Sequence, residues 1–387
     1  MIGGSEDDKA HIHSRTVDIG TIGLDTRSIH DVVESAAVER AIQSQEFGGS
    51  AYDLGNAEAG DAAAAPNGQH CARSRIVANP CESQQTISET STTDLRYFKH
   101  YLAALRPHQW LKNVLVFFPG LAAHKFDWPT LLSSMEAFVC FSFVASGVYV
   151  VNDLLDIRAD RVHPRKRYRP FASRSIPATH GTWIALGLIV PGGFIAMFIG
   201  QGFFLVMASY LLATTAYSLH FKRHIVIDIC ILAGLYTIRI VAGGIATSVP
   251  ISVLLIAFSM FFFLSLAAVK RQGELVDSAG RGCLQADGRG YHVNDLQIIS
   301  MIAVAAGYVS VLVMTYYVNS PAVAELYPHP QMLWGVCAVL LYWITRTVMM
   351  AHRGYMHDDP VIYAAKDRIS QACLAIILVF VAAGMLV

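Results

Sequence analysis

Long apolar runs dominate the chain after residue 95. The pattern predicts nine helical runs, at about 106–123, 130–151, 182–199, 202–219, 225–246, 251–269, 296–318, 332–350 and 368–386. Roughly 20 residues of apolar helix cross the hydrocarbon core of a bilayer, so runs of this length predict transmembrane helices. The first run is the weakest because Arg106, Lys112 and Asn113 interrupt it, and its start is expected to face the protein interior. The pattern predicts an all-α integral membrane protein with nine transmembrane helices.

Residues 1–94 have a different character. They are acidic, rich in Ala, Gly and Ser, and contain no long apolar run. Such a composition buries too little apolar surface to form a core. We predict a mostly disordered cytoplasmic tail over 1–94 and a nine-helix membrane domain over 95–387. No secretory signal peptide is expected, because this stretch has neither a basic start nor an apolar core segment.

Charge alternates between the gaps that separate the runs. The odd-numbered gaps carry little beyond Lys125, whereas the gap 152–181 alone holds seven arginines and lysines. Because basic loops stay in the cytoplasm, the tail and the even-numbered gaps are expected to be cytoplasmic, in a bacterial inner membrane. Only 15% of the residues are charged and the net charge is zero, which gives no argument for a nucleic-acid partner.

The sharpest chemical signal is Asn152-Asp153-Leu-Leu-Asp156-Ile-Arg-Ala-Asp160, where the second run leaves the membrane. On a helix, positions i, i+4 and i+8 share a face, so Asn152, Asp156 and Asp160 line up with Asp153 beside them. Crowded carboxylates repel one another unless a cation joins them, and Mg²⁺ takes such oxygen ligands, often together with substrate phosphates. These four residues are predicted Mg²⁺ ligands. The alternative is a solvated acidic helix end paired with nearby arginines.

A basic segment, Arg161 to Pro170, follows directly. Such a run is ordinarily a cytoplasmic anchor. Beside the carboxylates it indicates more, because one or two Mg²⁺ ions cannot neutralise a diphosphate and lysine or arginine would complete the charge balance. The sequence therefore predicts a Mg²⁺–diphosphate substrate at the membrane surface.

Ionisable residues recur between the fourth and fifth runs. The segment from Tyr217 to Asp228 contains Lys222, and Asp228 begins an apolar helix that also carries Arg239. Ionisable groups inside a membrane are costly and usually face a polar cavity. Asp228 is expected to be a second metal ligand or the partner of Lys222, with a purely structural salt bridge as the alternative.

Two later basic or acidic segments are less specific. Lys270-Arg271 ends the sixth run, and anchor and ligand roles are equally open for it. The segment His357-Asp358-Asp359-Pro is expected to be a capping and structural loop.

Residues 152–160 and 217–228, inside nine apolar helices, resemble the UbiA-type membrane prenyltransferase superfamily. The resemblance covers about 96–387 and implies a transferase domain of nine helices around a central cavity with two aspartate-rich motifs. The typical second motif has two aspartates four residues apart, whereas here Asp228 has His224 at that position. Three segments look like the decaprenyl-phosphate phosphoribosyltransferase branch: Arg106 to Asn113, Asp160 to Pro170 and Ile238 to Gly244. That branch transfers from 5-phosphoribosyl diphosphate to a polyprenyl phosphate, and its product feeds arabinosyl donors.

The resemblance also implies roles for single residues. Catalysis would fall to Asp156, Asp160 and Asp228, with Mg²⁺ as cofactor. The donor and acceptor would be held by seven polar side chains: Lys112, Asn152, Lys166, Arg169, Tyr217, Lys222 and Arg239. The basic members exceed what one diphosphate requires, which agrees with an extra phosphate on the donor.

Two other functions stay open. Prenyl transfer from an allylic diphosphate to an aromatic acceptor would be favoured by an aromatic-lined tunnel, and Phe261, Phe262 and Phe263 allow one. A transporter or lipid-binding scaffold is a different class, but the internal repeat that transporters often show is not evident. Any of these proteins could form a homo-oligomer.

Overall fold

The computed structural model describes residues 98–162, 166–286, 288–356 and 359–386. The tail predicted over 1–94 lies outside these ranges, so its disorder and its boundary with the membrane domain stay predictions. Within the described ranges, eight helices are long and apolar enough to cross a membrane. They are α1 (Trp128–Leu155), α2 (Ala178–Ile199), α3 (Gln201–Leu219), α4 (Ile227–Ala246), α5 (Val253–Gly280), α6 (Leu296–Val318), α7 (Trp334–His352) and α8 (Arg368–Leu386). The prediction of an all-α membrane protein is confirmed.

Short helices connect and flank the long ones. The α-helical pieces are Phe118–Ala122, Ile157–Val162, Pro321–Leu326 and Pro360–Lys366, and the 3₁₀ pieces are Pro107–Phe117, Lys166–Tyr168, Phe221–Arg223, Val293–Asp295 and Pro330–Leu333. Several begin with proline in the first turn, where the missing N–H costs no hydrogen bond. These pieces turn the chain at the ends of the long helices.

The first predicted run, 106–123, differs from the other eight. It forms a 3₁₀ helix over Pro107–Phe117 and a short α-helix over Phe118–Ala122. Arg106 precedes the 3₁₀ helix with a φ of 52°, and the side chains of Lys112 and Asn113 are buried in the protein. The polar residues that made this run the weakest therefore point inward, as expected, and the nine predicted runs correspond to eight long helices and one broken segment.

The broken segment packs closely against α4. A Cβ on Gly243 would lie 2.0 Å from the backbone oxygen of Val116, so only glycine permits this approach. One turn earlier on α4, Arg239 donates to Asn113 Oδ1 of the broken segment, 3.0 Å away. The glycine thus sets the depth at which the polar residues of the first segment enter the bundle.

Residues from the even-numbered gaps meet at one end of the bundle. Lys222, after α3, lies 3.1 Å from Asp156, after α1. Lys270, in α5, lies 3.2 Å from Asp359, in the loop between α7 and α8. The chain segments that the charge pattern predicted to share the cytoplasmic side therefore share one end of the fold.

Candidate active site

A polar cavity of about 330 Å³ opens at this end, between the broken segment and α1, α3, α4 and α5. Its wall carries five basic side chains: Arg106, Lys112, Arg239, Lys270 and Arg289. Among the described residues that line it, Asp359 is the sole acid. The excess of positive charge suits the cavity to a polyanion, since buried cations require counter-charge.

Four of the predicted site residues lie on this wall. They are Lys112, Asn152, Tyr217 and Arg239. The structure brings them together from the broken segment, the end of α1, the end of α3 and the middle of α4. The four side chains therefore lie on one cavity wall, and their binding of substrate stays a prediction.

The acidic segment after α1 divides into a closed and an open half. Asp153 and Asp160 are buried, each 3% exposed. Arg169 Nη1 bridges them at 3.2 and 2.7 Å, and Arg106 Nη2 donates to Asp153 Oδ1 at 2.6 Å. For these two carboxylates the pairing with arginines, which was the alternative expectation, is what the structure shows. Arg106 lines the polar cavity, so its pair with Asp153 fixes one of the cations on the cavity wall.

Asp156 forms the open half together with Asn152. Its side chain is 39% exposed, and Lys222 Nζ donates to both of its carboxylate oxygens at 3.1 Å. Asn152 lies one turn earlier in α1 and lines the cavity. One carboxylate and one amide thus face open space, and the cation beside them is a single flexible lysine.

The donor set fits Mg²⁺ only as a partial site. Within the described ranges, no group of three or more His, Cys, Asp or Glu side chains converges to hold a metal ion. Mg²⁺, however, usually keeps several waters and binds through one or two carboxylates plus substrate phosphates. The oxygens of Asp156 and Asn152 suit that role, whereas Asp153 and Asp160 are engaged by arginine.

Arg239 is the deepest cation of the cavity. It is 4% exposed in the middle of α4 and is held by neutral partners, namely Asn113, Tyr210 and the backbone oxygen of Leu235. Among the residues that the structure describes, no carboxylate forms an ion pair with Arg239. A buried guanidinium without a counter-ion favours the arrival of an anion on its open side.

Lys166 lies close enough to Arg169 and Asp160 for their charges to act on it. Burial, followed by the positive charge of Arg169, lowers the pKa of Lys166 below its ordinary value. A nearby phosphate would reverse that effect, because an opposite charge favours the protonated amine. Neither Lys166 nor Arg169 lies on the wall of the polar cavity, and phosphate binding by both stays a prediction.

Asp228 lies elsewhere than expected. It is fully buried at the start of α4, 2.8 Å from Arg271 Nε, and accepts a hydrogen bond from Tyr291 Oη at 2.5 Å. The expectation that Asp228 pairs with Lys222 is wrong, because Lys222 reaches Asp156 instead. The structural salt bridge that was left open as the alternative is present, and Asp228 does not line the cavity.

Tyr217 connects this buried pair to the cavity. Its hydroxyl accepts from Arg289 Nη1 at 2.7 Å, and Arg289 also lies 3.9 Å from Asp228. Asp228 and Arg271 thus support the wall through Arg289 and Tyr217. Asp228 is thus connected to the cavity wall by contacts without lying on it.

The sequence analysis did not predict that Asp359 lies on the cavity wall. Asp359 was expected to cap a helix, and it does accept from Val361 N at 3.2 Å. It also enters the cavity, where it binds Lys112, Lys270 and Tyr236. The sequence gives little sign of this, because an aspartate directly before Pro360 and a short helix is also what a simple helix cap looks like.

A second cavity, about 950 Å³ and lined almost wholly by apolar side chains, adjoins the first. It extends along the broken segment, α5 and α8, from Lys125 and Phe126 at one end to Gln371 at the other. Leu266 and Val361 line both cavities, so an apolar chain in one can present a polar head to the other. The pair suits an amphiphilic lipid together with a polyanion.

Comparison with known proteins agrees with this architecture. Residues 113–356 match the model of the UbiA prenyltransferase family. The nodulation protein NoeC of Azorhizobium caulinodans is 41% identical over 278 residues, which is 72% of this chain and 90% of that protein. The decaprenyl-phosphate phosphoribosyltransferase of Mycobacterium tuberculosis is 41% identical over 177 residues, 44% of this chain and 59% of that enzyme.

Solved structures share the fold. A UbiA homologue from Archaeoglobus fulgidus bound to GPP and Mg²⁺ superimposes with a TM-score of 0.55 at 14% identity, over 74% of this chain and 98% of the homologue. At that identity the likeness concerns the fold alone. With the family match over more than half its length, the chain belongs to the UbiA prenyltransferase family.

Proposed function

We propose that this protein is a membrane transferase that moves a 5-phosphoribosyl group from phosphoribosyl diphosphate to a polyprenyl phosphate. The observation that carries the proposal is the small cationic cavity, with five basic side chains and one acid, joined to a large apolar cavity. A diphosphate alone needs fewer cations, so the surplus matches a donor with a further phosphate on the ribose. The partial similarity to decaprenyl-phosphate phosphoribosyltransferases supports the same donor.

The acceptor would lie in the apolar cavity. A polyprenyl chain between the broken segment and α8 would place its phosphate near Leu266 and Val361, where the two cavities meet. The lipid phosphate is already anionic and needs no strong general base. Its oxygen would form the new bond to the anomeric carbon as the bond from that carbon to the diphosphate breaks.

The barrier is the departure of diphosphate, which takes the electron pair of the breaking bond. Lys112, Lys270 and Arg239 would stabilise the charge that develops on the leaving group, because they are fixed before the reaction begins. Asn152 and Asp156 would hold Mg²⁺, which when bound supplies further charge neutralisation at the diphosphate oxygens. Asp228 would act from a distance by fixing Arg271 and Arg289.

The distribution of basic loops indicates which side of the membrane the polar cavity faces. We place the polar cavity on the cytoplasmic side of a bacterial inner membrane, because the basic gaps converge there. Phosphoribosyl diphosphate is a soluble anion and would enter from that side, while the lipid would enter from the bilayer. The product would serve as a precursor of arabinosyl donors, and the similarity to NoeC connects such a role to nodulation.

Prenyl transfer to an aromatic acceptor is the second candidate. It is favoured by the aromatic lining of the apolar cavity, which includes Phe117, Phe118, Phe126, Phe262 and Phe263. These rings would suit a prenyl chain of the donor as well as that of an acceptor lipid. The polar cavity would then hold only the diphosphate and part of the aromatic acceptor.

A transfer assay with two alternative substrate mixtures distinguishes phosphoribosyl transfer from prenyl transfer. Purified full-length protein with Mg²⁺ would receive decaprenyl phosphate and labelled phosphoribosyl diphosphate, or 4-hydroxybenzoate and labelled polyprenyl diphosphate. We expect label to enter the organic phase as a phosphoribosyl lipid only in the first mixture, and not without decaprenyl phosphate. Transfer in the second mixture alone would assign the protein to prenyl transfer instead.

A further inference from the structure

Asp359 occupies an unusual place in the polar cavity. Lys112 Nζ lies 2.7 Å and Lys270 Nζ 3.2 Å from the same carboxylate oxygen, Oδ2. Tyr236 Oη donates to Oδ1 at 3.0 Å. Two lysines that converge on one oxygen from separate helical segments form the arrangement that a phosphate oxygen would also accept.

The other cations of the cavity do not depend on Asp359. Arg106 is paired with Asp153, and Arg289 lies 3.9 Å from Asp228, both outside the wall. Arg239 is held by neutral groups. Asp359 is therefore the counter-ion of Lys112 and Lys270 specifically, the two lysines on the cavity wall.

The carboxylate is ionised in this setting. Burial alone would favour its neutral form, but the charges of Lys112 and Lys270 outweigh burial and hold the pKa of Asp359 well below its usual range. A negative group fixed in the cavity repels an incoming phosphate at contact distance. An incoming polyanion and Asp359 thus compete for the same two amines.

The attachment of Asp359 differs from that of its partners. Lys270 belongs to the 28-residue helix α5, and Lys112 lies in the broken segment fixed against α4. Asp359 precedes a helix of only seven residues, Pro360–Lys366. Of the three groups, the carboxylate is held by the shortest element.

We propose that Asp359 is an internal substitute for a substrate phosphate, which keeps Lys112 and Lys270 in place in the empty cavity and is displaced by the donor. The proposal rests on the proposed function, because it requires a polyphosphate in this cavity. Asp359 is then a positioning residue that weakens anion binding in exchange for a preformed site. It also selects for donors with enough negative charge to displace it.

The test is a calorimetric titration: inorganic pyrophosphate is added to the purified full-length protein in the presence of Mg²⁺, and its Kd is measured. Asp359→Asn removes the competing charge and should lower the Kd for pyrophosphate by on the order of tenfold, within the range of coupled binding equilibria. The thermal shift on adding pyrophosphate should also be larger in the variant, since the ligand then supplies the missing counter-charge.

Asp367→Asn is the matched control. Asp367 also precedes a helix, accepts from a backbone N–H (Ser370 N, 2.8 Å) and pairs with a basic residue, Arg346, at 2.7 Å, but it does not line the polar cavity. Its substitution should leave the Kd for pyrophosphate at the wild-type value. An equal tightening in this control would show a general effect of lost acidity and would overturn the proposal.

A milder variant covers the case in which Asp359→Asn does not fold. Tyr236→Phe removes one hydrogen bond to Asp359 and should ease its displacement, lowering the Kd by about two- to threefold. An unchanged or weaker affinity in the folded Asp359 or Tyr236 variant would overturn the inference while leaving the transferase proposal intact. Absence of pyrophosphate binding in the wild type would instead overturn the proposed function itself.

Discussion

Asp156, at the end of α1, and Asp228, at the start of α4, lie at the same end of the helix bundle in opposite surroundings. Asp156 is 39% exposed and touches one flexible lysine. Asp228 is fully buried between Arg271 and Tyr291. Both are aspartates near a helix terminus, so the difference lies in what the neighbouring segments place against them.

The difference in exposure indicates that the two aspartates have different functions. An exposed carboxylate with a displaceable partner can exchange that partner for a metal ion or a substrate. A buried carboxylate whose partner is equally buried cannot, because separating the pair leaves a charge without solvation. We infer that Asp156 takes part in binding and chemistry, whereas Asp228 holds the wall of the cavity together.

Removing Asp156 should have the largest effect. Asp156→Ala deletes the open carboxylate and should abolish turnover, a loss of about 10³-fold or more if charge stabilisation of the leaving group fails. The free energy of unfolding should change little, because the side chain is half-exposed and screened by solvent. Phosphoribosyl transfer and thermal unfolding in detergent measure the two effects on the same preparation.

Asp277→Ala provides the control for Asp156. Asp277 is also a partly exposed acid at the end of a long helix, 3.4 Å from Arg281. Neither aspartate lines a cavity itself, but Asp156 lies one turn after the cavity-lining Asn152 and pairs with Lys222 of another segment, whereas Asp277 pairs with a residue four positions along its own helix end. Turnover should persist in this variant, and full activity after the loss of both Asp156 and Asp160 would refute the assignment of a metal to this segment.

Asp228→Asn should act on stability instead. Arg271 is 1% exposed and also pairs with Glu274, so the substitution removes one of its two carboxylate partners, at a cost of roughly 2–3 kcal/mol of unfolding free energy. Activity should fall in proportion to the folded fraction, with KM for the donor unchanged. Chemical or thermal denaturation in detergent, followed by kinetics on the folded fraction, separates the two.

Similar kinetics in Asp228→Asn and Asp156→Ala would contradict the inference that the two aspartates have different functions. A folded and equally stable Asp228 variant without turnover would make Asp228 a catalytic residue, as the family resemblance implied. Asp367→Asn, which weakens a partly exposed pair with Arg346, should cost less than about 1 kcal/mol and defines the background.

Local sequence signals predicted the helices and the gathering of polar residues well. Apolar runs found all eight long helices, and the polar interruption of the first run predicted its inward-facing side chains. Helical spacing placed Asn152 and Asp156 one turn apart at a helix end. These features depend on residues within one or two turns, which is the range that periodicity covers.

Partners far apart in sequence were not predictable in this way. Lys112 and Asp359 are separated by 247 positions, and Asp228 and Tyr291 by 63. Which carboxylate of 152–160 stays open depends on Arg106 and Arg169, which arrive from other segments. Spacing gives the face of a helix, but only the packing of the bundle decides what lies against that face.

Tyr291→Phe tests the structural role of Asp228 by removing a single hydroxyl group that contacts it. The hydroxyl of Tyr291 donates to Asp228 and accepts from the backbone N–H of Val226, which is held at a φ of 65°, a strained value for a β-branched residue. Removing it leaves the buried carboxylate of Asp228 and the N–H of Val226 without this partner and should cost about 1–3 kcal/mol of unfolding free energy. Tyr308→Phe, which removes an exposed hydroxyl contact to Thr345, is the matched control and should be nearly neutral.

Thermal unfolding of both tyrosine variants, with transfer assayed well below the transition, decides the outcome. If Asp228 only supports the wall, Tyr291→Phe lowers the transition temperature and leaves kcat and KM at wild-type values. A lower kcat at unchanged stability would mean that the hydrogen bond tunes Asp228 for chemistry. In that case the buried aspartate and the open one would belong to a single catalytic unit, connected through Arg289 and Lys222.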